Sequence, residues 1–348
     1  MTGAPAPKTR RAILPFCAIL LLIAAVAGLC VGRYPLSVAT VLQALAHRVG
    51  LARPPPDALS EVVLFAERTP RIIAAMLIGA GLSLSGASYQ SVFRNPLVSP
   101  ALLGVLAGAG FGAALSVVTG APPALRLALT FAGGAAAVAL GVTVARAFGR
   151  ERRGLGDPGI LLLVFGGLVS TALFTALLSI MKFAADPQNQ LPDIVFWLLG
   201  SLAAVQPGQL AQVGPLIGLG CVALLWLSRY LDALALSDDE ARSLGLPVGS
   251  LRMAVIVAAT ITSALTVVLA GVIGWVGLIV PHIARLLVGP AHRRLMPVAA
   301  CIGAAFMIVA DGIARTLTPS EIPLGVVSDL LGVVIFLAVL PRIRRGWA

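Results

Sequence analysis

Apolar residues occur along the chain in long uninterrupted runs. Most runs extend for about 20 residues, and a helix of that length crosses the roughly 30 Å hydrocarbon core of a bilayer. Ten runs can be distinguished, so the pattern predicts an all-α polytopic membrane protein with about ten transmembrane helices. The predicted spans are residues 12–32, 70–92, 100–119, 124–147, 159–182, 208–228, 250–272, 275–288, 295–316 and 324–341.

Two apolar stretches are shorter than an ordinary span. The eighth span, 275–288, is short for a crossing helix, and an additional stretch from Asp193 to Leu202 is too short to cross at all. We expect the additional stretch to lie at the surface or to re-enter the bundle. No segment is polar enough for a separate soluble domain, so residues 1–348 are predicted to form a single transmembrane domain.

Composition agrees with this class, and the positive charges predict an orientation. Hydrophobic residues make up 59% of the chain and charged residues 11%, whereas soluble domains carry about 25% charged residues. With a cytoplasmic N-terminus, 17 of the 25 lysines and arginines fall on the inner face. This bias predicts that both termini are cytoplasmic, and it accounts for much of the net charge of +11 without a nucleic-acid partner.

The inner segment between spans six and seven, LDALALSDDEARSLGLPVGSLR, has helix signals of its own. Ser237 and Glu240 have the spacing of a capping box. The acidic residues Asp238–Glu240 suit the positive end of a helix dipole, and Gly245 and Pro247 end the helix. A helix of about seven residues is marginal alone. It therefore either docks on a partner or belongs to a structured loop.

Arginines flank the predicted outer start of the second span, in the sequence ERTPR. Thr69 fits an N-cap and Pro70 the first helical position. Arg68 and Arg71 would then lie where the helix dipole disfavours a cation. Cations at this place indicate an acidic partner outside the membrane, with local pairing to Glu67 as the alternative.

A third arginine is predicted near the same outer face. Arg315 lies near the outer end of the ninth span, four residues after Asp311. The spacing permits a local ion pair along one helix face. Both the partner and the local interpretation therefore apply to Arg315.

The joint RNPLVSP, residues 94–100, interrupts two apolar spans on the predicted inner face. It is either a passive hairpin or a segment that moves. The helix before it is rich in hydroxyl groups, which suits a helix surrounded by protein or lining a polar path. A second proline-interrupted stretch carries His282 and His292, but their ten-residue spacing favours ordinary polar residues over metal or haem ligands.

Several sequence motifs of enzymes are absent. The chain has only two lysines and no GxxxxGK[ST] sequence, so it cannot hold ATP in a P-loop of its own. The motifs HExxH and GxSxG are also missing. We therefore do not expect an intramembrane enzyme, and we predict no catalytic or metal-ligating residues.

Five segments, taken in order, resemble the permease subunit of ABC importers for iron-siderophores, haem and vitamin B12, the FecCD type. The resemblance covers the chain from about residue 68 to its end. The segments are RTPRIIAAMLIGAGLSLSGASYQSVFRNPLVSPALLGVLAGAGFGAAL, VFWLLGSL, DDEARSLGLPV, GVIGWVGLIVPHIARLLVGPAHRRLMP and ADGIARTLTPSEIPLGVVSDLLG.

The resemblance implies an assembly and a function. Two copies of the subunit would enclose a substrate path in the bacterial cytoplasmic (inner) membrane. Two cytoplasmic ATPase subunits, which bind the ATP, and an external substrate-binding protein would complete the importer. Its cargo would be a metal chelate such as an iron-siderophore or haem, moved by alternating access, and no cofactor would be bound covalently.

The resemblance also implies roles for residues that match the family's motifs. Asn95 and Leu97 would belong to the cytoplasmic gate. Arg68, Arg71 and Arg315 would receive acidic residues of the binding protein. The short cytoplasmic helix near residues 237–247 would dock on the ATPase and transmit its closure, through Asp238, Asp239, Glu240, Arg242 and Gly245.

Asp329 departs from the family pattern, which has an uncharged residue there. A carboxylate inside a span is costly and often functional. It either pairs with a neighbouring helix or faces the substrate path. Cobalamin or oxyanion cargo therefore stays open, as does the rival hypothesis of an ion-coupled secondary transporter that uses Asp311 and Asp329.

Overall fold

A computed structural model describes residues 7–51, 57–149, 158–203 and 205–344, and every regular element in these ranges is helical. Fourteen α-helices follow one another there. They are α1 (Pro7–Cys30), α2 (Val38–Arg48), α3 (Ala58–Val62), α4 (Thr69–Val92), α5 (Val105–Val118), α6 (Pro123–Gly149), α7 (Pro158–Ala184), α8 (Gln190–Leu198), α9 (Pro207–Leu234), α10 (Asp238–Ser243), α11 (Val248–Ala270), α12 (Val276–Val288), α13 (His292–Thr316) and α14 (Leu324–Arg344).

Each of the ten predicted spans coincides with one of these helices. Among the described helices, seven are long and apolar enough to cross a membrane, and α5, α12 and α14 are shorter apolar helices. An all-helical polytopic membrane protein is therefore confirmed. Some charges that entered the orientation argument lie outside the described residues, namely Arg53, Arg150, Arg152, Arg153 and Arg345.

Helix α4 runs through the centre of the bundle and packs against α9, α11, α12 and α13. Its hydroxyl groups are buried and bonded to these neighbours or to its own backbone. Ser85 donates to the carbonyl oxygen of Ala259 over 3.1 Å, and the hydroxyls of Tyr89 and Thr260 lie 2.7 Å apart. Because buried polar groups need partners, the hydroxyl-rich sequence reflects a helix surrounded by protein, one of its two predicted interpretations.

Glycines allow the backbones of neighbouring helices to touch. A Cβ atom added to Gly79 of α4 would lie 2.1 Å from the carbonyl oxygen of Gly303 in α13. The same applies between α5 and α6, where a Cβ at Gly108 would lie 2.2 Å from the carbonyl oxygen of Gly133. These contacts require small residues, as expected for membrane helices.

The start of α4 differs from the sequence-based prediction. Asp57 caps α3 by accepting a bond from the Leu59 amide, and the chain continues through a π-helical turn, Val63–Arg68, directly into α4. Thr69 is therefore not an N-cap, and its hydroxyl donates to the carbonyl oxygen of Leu64 over 2.7 Å. The wider turn tolerates Pro70, which lacks an amide proton.

The two short apolar stretches form two short helices with different surroundings. The stretch near Asp193 forms α8, which has nine residues and is too short to cross. The segment after α8 bonds back to the bundle, because the Ser201 amide donates to the carbonyl oxygen of Ala270 over 2.9 Å and the Gly200 carbonyl accepts from Leu324. Helix α12 has only 13 residues and follows a non-helical segment, 271–274.

Candidate functional site

The short helix α10 has the predicted capping box. The amide of Glu240 donates to the Ser237 hydroxyl over 3.3 Å, and the Glu240 carboxylate accepts from the Ser237 amide over 2.9 Å. The Ser237 hydroxyl also bonds to this carboxylate. The two bonds that the carboxylate accepts hold the pKa of the Glu240 carboxyl below its ordinary value. The bond from the Ser237 hydroxyl has the larger effect and the bond from the Ser237 amide the smaller one.

The far end of α10 also follows the prediction. Gly245 adopts a positive φ of 78°, and its amide donates to the carbonyl oxygen of Arg242 over 2.8 Å. A left-handed residue after the last turn is a common helix end, and glycine adopts it without steric cost. Leu244, which follows the last residue of the helix, is exposed, and so is Asp239 in its first turn. The helix therefore presents acidic and apolar groups to solvent.

The joint at residues 94–100 forms a tight turn with an exposed tip. The Asn95 side-chain oxygen accepts a bond from the Leu97 amide over 2.9 Å. Both side chains are exposed, whereas the next residue, Val98, is buried. Pro100 starts a 3₁₀ turn, Pro100–Leu103, before α5 begins. Asn95 and Leu97 thus lie at the exposed tip of the turn, and their gate role stays a prediction.

The structure brings α10 and this joint together through Asp238. Its Oδ1 accepts bonds from Nη2 of Arg94 and from Nη2 of Arg252, each over 2.6 Å. Arg94 lies in the joint, next to Asn95, and Arg252 lies in α11. In the sequence, both arginines contribute to the excess of positive charge on the predicted inner face. One feature of the sequence could have indicated a special role for Arg94, because it is the only charged residue between Arg71 and Arg126.

The two histidines of the second proline-interrupted stretch have ordinary polar contacts. His282 lies 2.7 Å from the carbonyl oxygen of Leu278 through Nδ1. His292 lies 2.6 Å from the Asp232 carboxylate, which also accepts the His292 backbone amide over 3.0 Å. The Asp232 contact joins the end of α9 to the start of α13.

At the opposite end of α4, Arg71 forms a buried ion-pair network. Its Nε donates to Asp311 over 2.7 Å, and its two terminal nitrogens donate to the Glu321 carboxylate over 3.1 and 2.9 Å. Asp311 also pairs with Arg315, 3.5 Å away. The local Asp311–Arg315 pair was one of the predicted alternatives and is confirmed.

Arg68 and Arg315 point inward to the last turn of α1. Arg315 donates to the carbonyl oxygen of Gly28 over 2.6 Å, and Arg68 donates to those of Leu29 over 2.6 Å and Cys30 over 3.1 Å. The last carbonyls of a helix lack partners within it and carry partial negative charge. The two guanidinium groups therefore hold the end of α1. Whether the outer arginines also receive a binding protein stays a prediction.

Asp329 lies on an exposed face of α14. Its carboxylate is beside Gly274, because a Cβ at Gly274 would lie 2.6 Å from Oδ1. The neighbouring Leu330 is also exposed. Asp329 was predicted either to pair with a neighbouring helix or to face the substrate path. Within the described residues it forms no ion pair with a neighbouring helix.

A cavity of about 780 Å³ opens near the start of α6 and of α9. Its lining includes the polar residues Arg126, Asp193, Gln206, Gln209 and Gln212. None of the predicted gate, coupling or docking residues contributes to this lining. The cavity is therefore separate from the candidate site.

A sequence model of the FecCD transport family matches residues 20–342. This match extends over nearly the whole chain. The chain belongs to the FecCD transport family. The FecCD permease is similar, at 36% identity over 94% of its length and 95% of the relative's, to a molybdate import system permease of Haemophilus influenzae.

A second relative of the FecCD permease is an iron(3+)-hydroxamate import system permease of Bacillus subtilis. It is 37% identical over 290 residues, which are 82% of this chain and 85% of the relative. A solved structure, described as an inward-facing conformation of a protein assigned to the metal-chelate type of ABC transporter, superimposes with a TM-score of 0.83. It shares 35% identity and covers 95% of this chain and 99% of its own.

The predicted family is thereby confirmed. The FecCD permease is a multi-pass protein of the cytoplasmic membrane and the permease of an ABC importer. It acts as a transport subunit. The named cargoes of these two relatives differ, since one is molybdate and the other an iron(3+)-hydroxamate.

Proposed function

We propose that this FecCD permease forms a homodimer that imports a metal chelate, either an iron-siderophore or haem. Two ATPase subunits bind and hydrolyse ATP at its cytoplasmic side, and a binding protein delivers cargo at the outer side. Transport proceeds by alternating access of the path between the two copies. In this proposal the chain crosses the membrane ten times and both termini are cytoplasmic.

The separation of two groups of residues carries this proposal. Helix α4 has 24 residues and is therefore about 36 Å long. Arg71 lies at its first turn and Arg94 just beyond its end, so the arginine network and the α10–joint contact are on opposite sides of a layer about as thick as a bilayer core. An importer needs an external docking surface and an internal ATPase surface, and this separation supports assigning one surface to each group of residues.

The proposed ATPase surface comprises α10 and its flanks. Asp238, Asp239, Glu240, Arg242 and Gly245 belong to this surface. Its self-capped helix is preformed, so a partner need not fold it on binding. The exposed side chain of Leu244 adds an apolar contact at the end of the helix opposite its acidic start.

The proposed docking surface for the binding protein lies around Arg68, Arg71 and Arg315. Arg68 and Arg315 contribute to this surface because they fix the end of α1. Arg71 contributes because it holds the partly exposed side chain of Glu321. Direct contacts with acidic residues of the partner would require exchange of these internal bonds. Increasing salt should then weaken the contact.

The cargo proposal rests on the ferric hydroxamate relative and on the metal-chelate structural neighbour. An oxyanion is the alternative, because of the molybdate relative. The test is uptake by the complete complex in vesicles, with its own ATPase and binding protein, of four labelled compounds: a ferric siderophore, haem, cobalamin and molybdate. We expect uptake of a ferric chelate. Uptake of molybdate or cobalamin alone would overturn the cargo proposal.

Ion-coupled secondary transport is disfavoured by the state of Asp311. A coupling carboxylate must exchange its ion during each cycle, whereas Asp311 is buried between Arg71 and Arg315. The two guanidinium groups already provide its counter-charge. Asp329 lacks such a pair among the described residues, so the rival function would rest on this residue alone.

A further inference from the structure

We propose that Arg94 and Arg252 are positioning residues that transmit movement of α10, through the Asp238 carboxylate, to the Asn95–Leu97 tip. The inference rests on the proposed function, because it assumes that the ATPase moves α10. It adds the physical connection between the ATPase surface and the gate. Neither arginine was among the predicted site residues.

Arg94 and Arg252 share one carboxylate. Asp238 is the first residue of α10, and Arg94 and Arg252 both bond to its Oδ1. Arg252 also reaches Oδ2 over 3.3 Å, so it holds the carboxylate with two nitrogens. The three side chains are mostly buried, with exposures of 22% for Arg94, 16% for Asp238 and 13% for Arg252. Charge-assisted bonds of this length, partly shielded from water, are stronger than exposed ion pairs.

The backbone of the joint is strained at Arg94. Arg94 has a φ of 47°, in the left-handed region that non-glycine residues seldom adopt. Its guanidinium extends to α9 and α10, where Nε donates to the carbonyl oxygen of Leu234 over 3.3 Å. Strained backbone persists where its surroundings enforce it. The strain at Arg94 is therefore consistent with a side chain anchored at the α9–α10 corner.

The bonds around Asp238 connect the ends of four helices. Ser91, at the end of α4, donates to the carbonyl oxygen of Leu231 over 2.7 Å, so the ends of α4 and α9 are already joined. The Arg94 bond adds the start of α10 to that unit, and the Arg252 bonds add α11. A displacement of α10 must therefore either move the joint or break partly buried ion pairs. Movement of the Asn95–Leu97 tip is the outcome that keeps these bonds.

The test measures the tip directly and needs no knowledge of the cargo. Leu97→Cys carries one spin label per copy, in a background where the four native cysteines are replaced by alanine. The permease is purified with its ATPase, and the distance between the two labels is measured without nucleotide and after trapping with ATP and vanadate. We expect trapping to shift this distance in the otherwise unchanged chain.

Arg94→Gln should abolish the shift while the complex still assembles and still traps nucleotide. Arg94→Lys retains a cation and should restore most of the shift. Asp238→Asn should reproduce the loss, and combining it with Arg94→Gln should add nothing further to it, because each change alone weakens the Arg94–Asp238 contact on which the shift depends. The matched control is Arg229→Gln, because Arg229 stacks on the ring of Trp226, 4.1 Å away, and should leave the shift intact.

Each other outcome is decisive. A normal shift in Arg94→Gln would refute the transmission role and leave the proposed function intact. Loss of the ATPase from Arg94→Gln, Arg94→Lys and Asp238→Asn alike would assign these residues to assembly and refute the inference. No shift in the unchanged chain, despite trapped nucleotide, would refute the gate in the proposed function and the inference with it. A complex that gives no distance between two labels would contradict the homodimer.

Discussion

Replacing Asp311 should destabilise the FecCD permease far more than replacing Asp329, although both carboxylates lie in apolar helices. The Asp311 side chain is only 2% exposed and accepts from Arg71 over 2.7 Å. It also lies 3.5 Å from Arg315, whose side chain is 8% exposed. Asp311→Asn keeps the shape of the side chain but leaves two buried guanidinium groups without their shared counter-charge.

The magnitude follows from the burial of the network. Removing one partner of a buried ion pair costs about 3–5 kcal/mol, because the other charge stays buried and uncompensated. Glu321 remains bonded to Arg71, so the lower end, about 3 kcal/mol, is expected. Asp329 is exposed in α14, and Asp329→Asn should change stability by no more than about 0.5 kcal/mol.

The assay is thermal denaturation of the purified permease in detergent. Denaturation is monitored as the loss of the monodisperse species with increasing temperature. The expected decrease in the midpoint for Asp311→Asn is roughly 4 °C, because the entropy of unfolding scales with the length of the chain. Asp329→Asn is the matched control and should leave the midpoint nearly unchanged. Equal decreases for the two variants, or a decrease of less than about 2 °C for Asp311→Asn, would refute the assigned network.

Three further predictions concern α10 and the helix contacts. Ser237→Ala removes the cap and should weaken α10 by about 1 kcal/mol, seen as faster amide exchange in that helix. The Ser237 bonds hold the pKa of the Glu240 carboxyl below its ordinary value, so the contribution of this carboxylate to amide protection in α10 should be constant near neutral pH and should be lost as pH falls through that lowered pKa. Gly79→Ala should lower the denaturation midpoint, because its Cβ would overlap Gly303, whereas Gly218→Ala has open space and should raise it slightly. Equal effects of the two alanines would contradict the α4–α13 contact.

The helical architecture could be predicted because the bilayer imposes it. Apolar runs of fixed length have one stable solution in a membrane, and each of the ten predicted runs is a helix here. The capping box of α10 was also predictable, because Ser237 and Glu240 are close in sequence and their bonds are local. The start of α4 was not predictable. Thr69 is a residue type that favours an N-cap, but here it follows a π-helical turn.

The contacts that define the candidate site are distant in sequence. Arg71 and Asp311 are 240 positions apart, and Arg94 and Asp238 are 144 apart. No spacing rule connects such pairs, since they depend on how the helices pack. The sequence did indicate that the outer arginines needed an explanation. It could not distinguish an external partner from the internal acceptors that these side chains have in the structure.

ATP-driven uptake by the purified complex tests the importer account most directly. The FecCD permease is reconstituted into vesicles with its ATPase, with the binding protein added outside and the cargo labelled. The account predicts uptake that requires ATP, the ATPase and loaded binding protein together, and that a proton or sodium gradient alone does not drive. Uptake driven by a gradient in vesicles that lack the ATPase would contradict it.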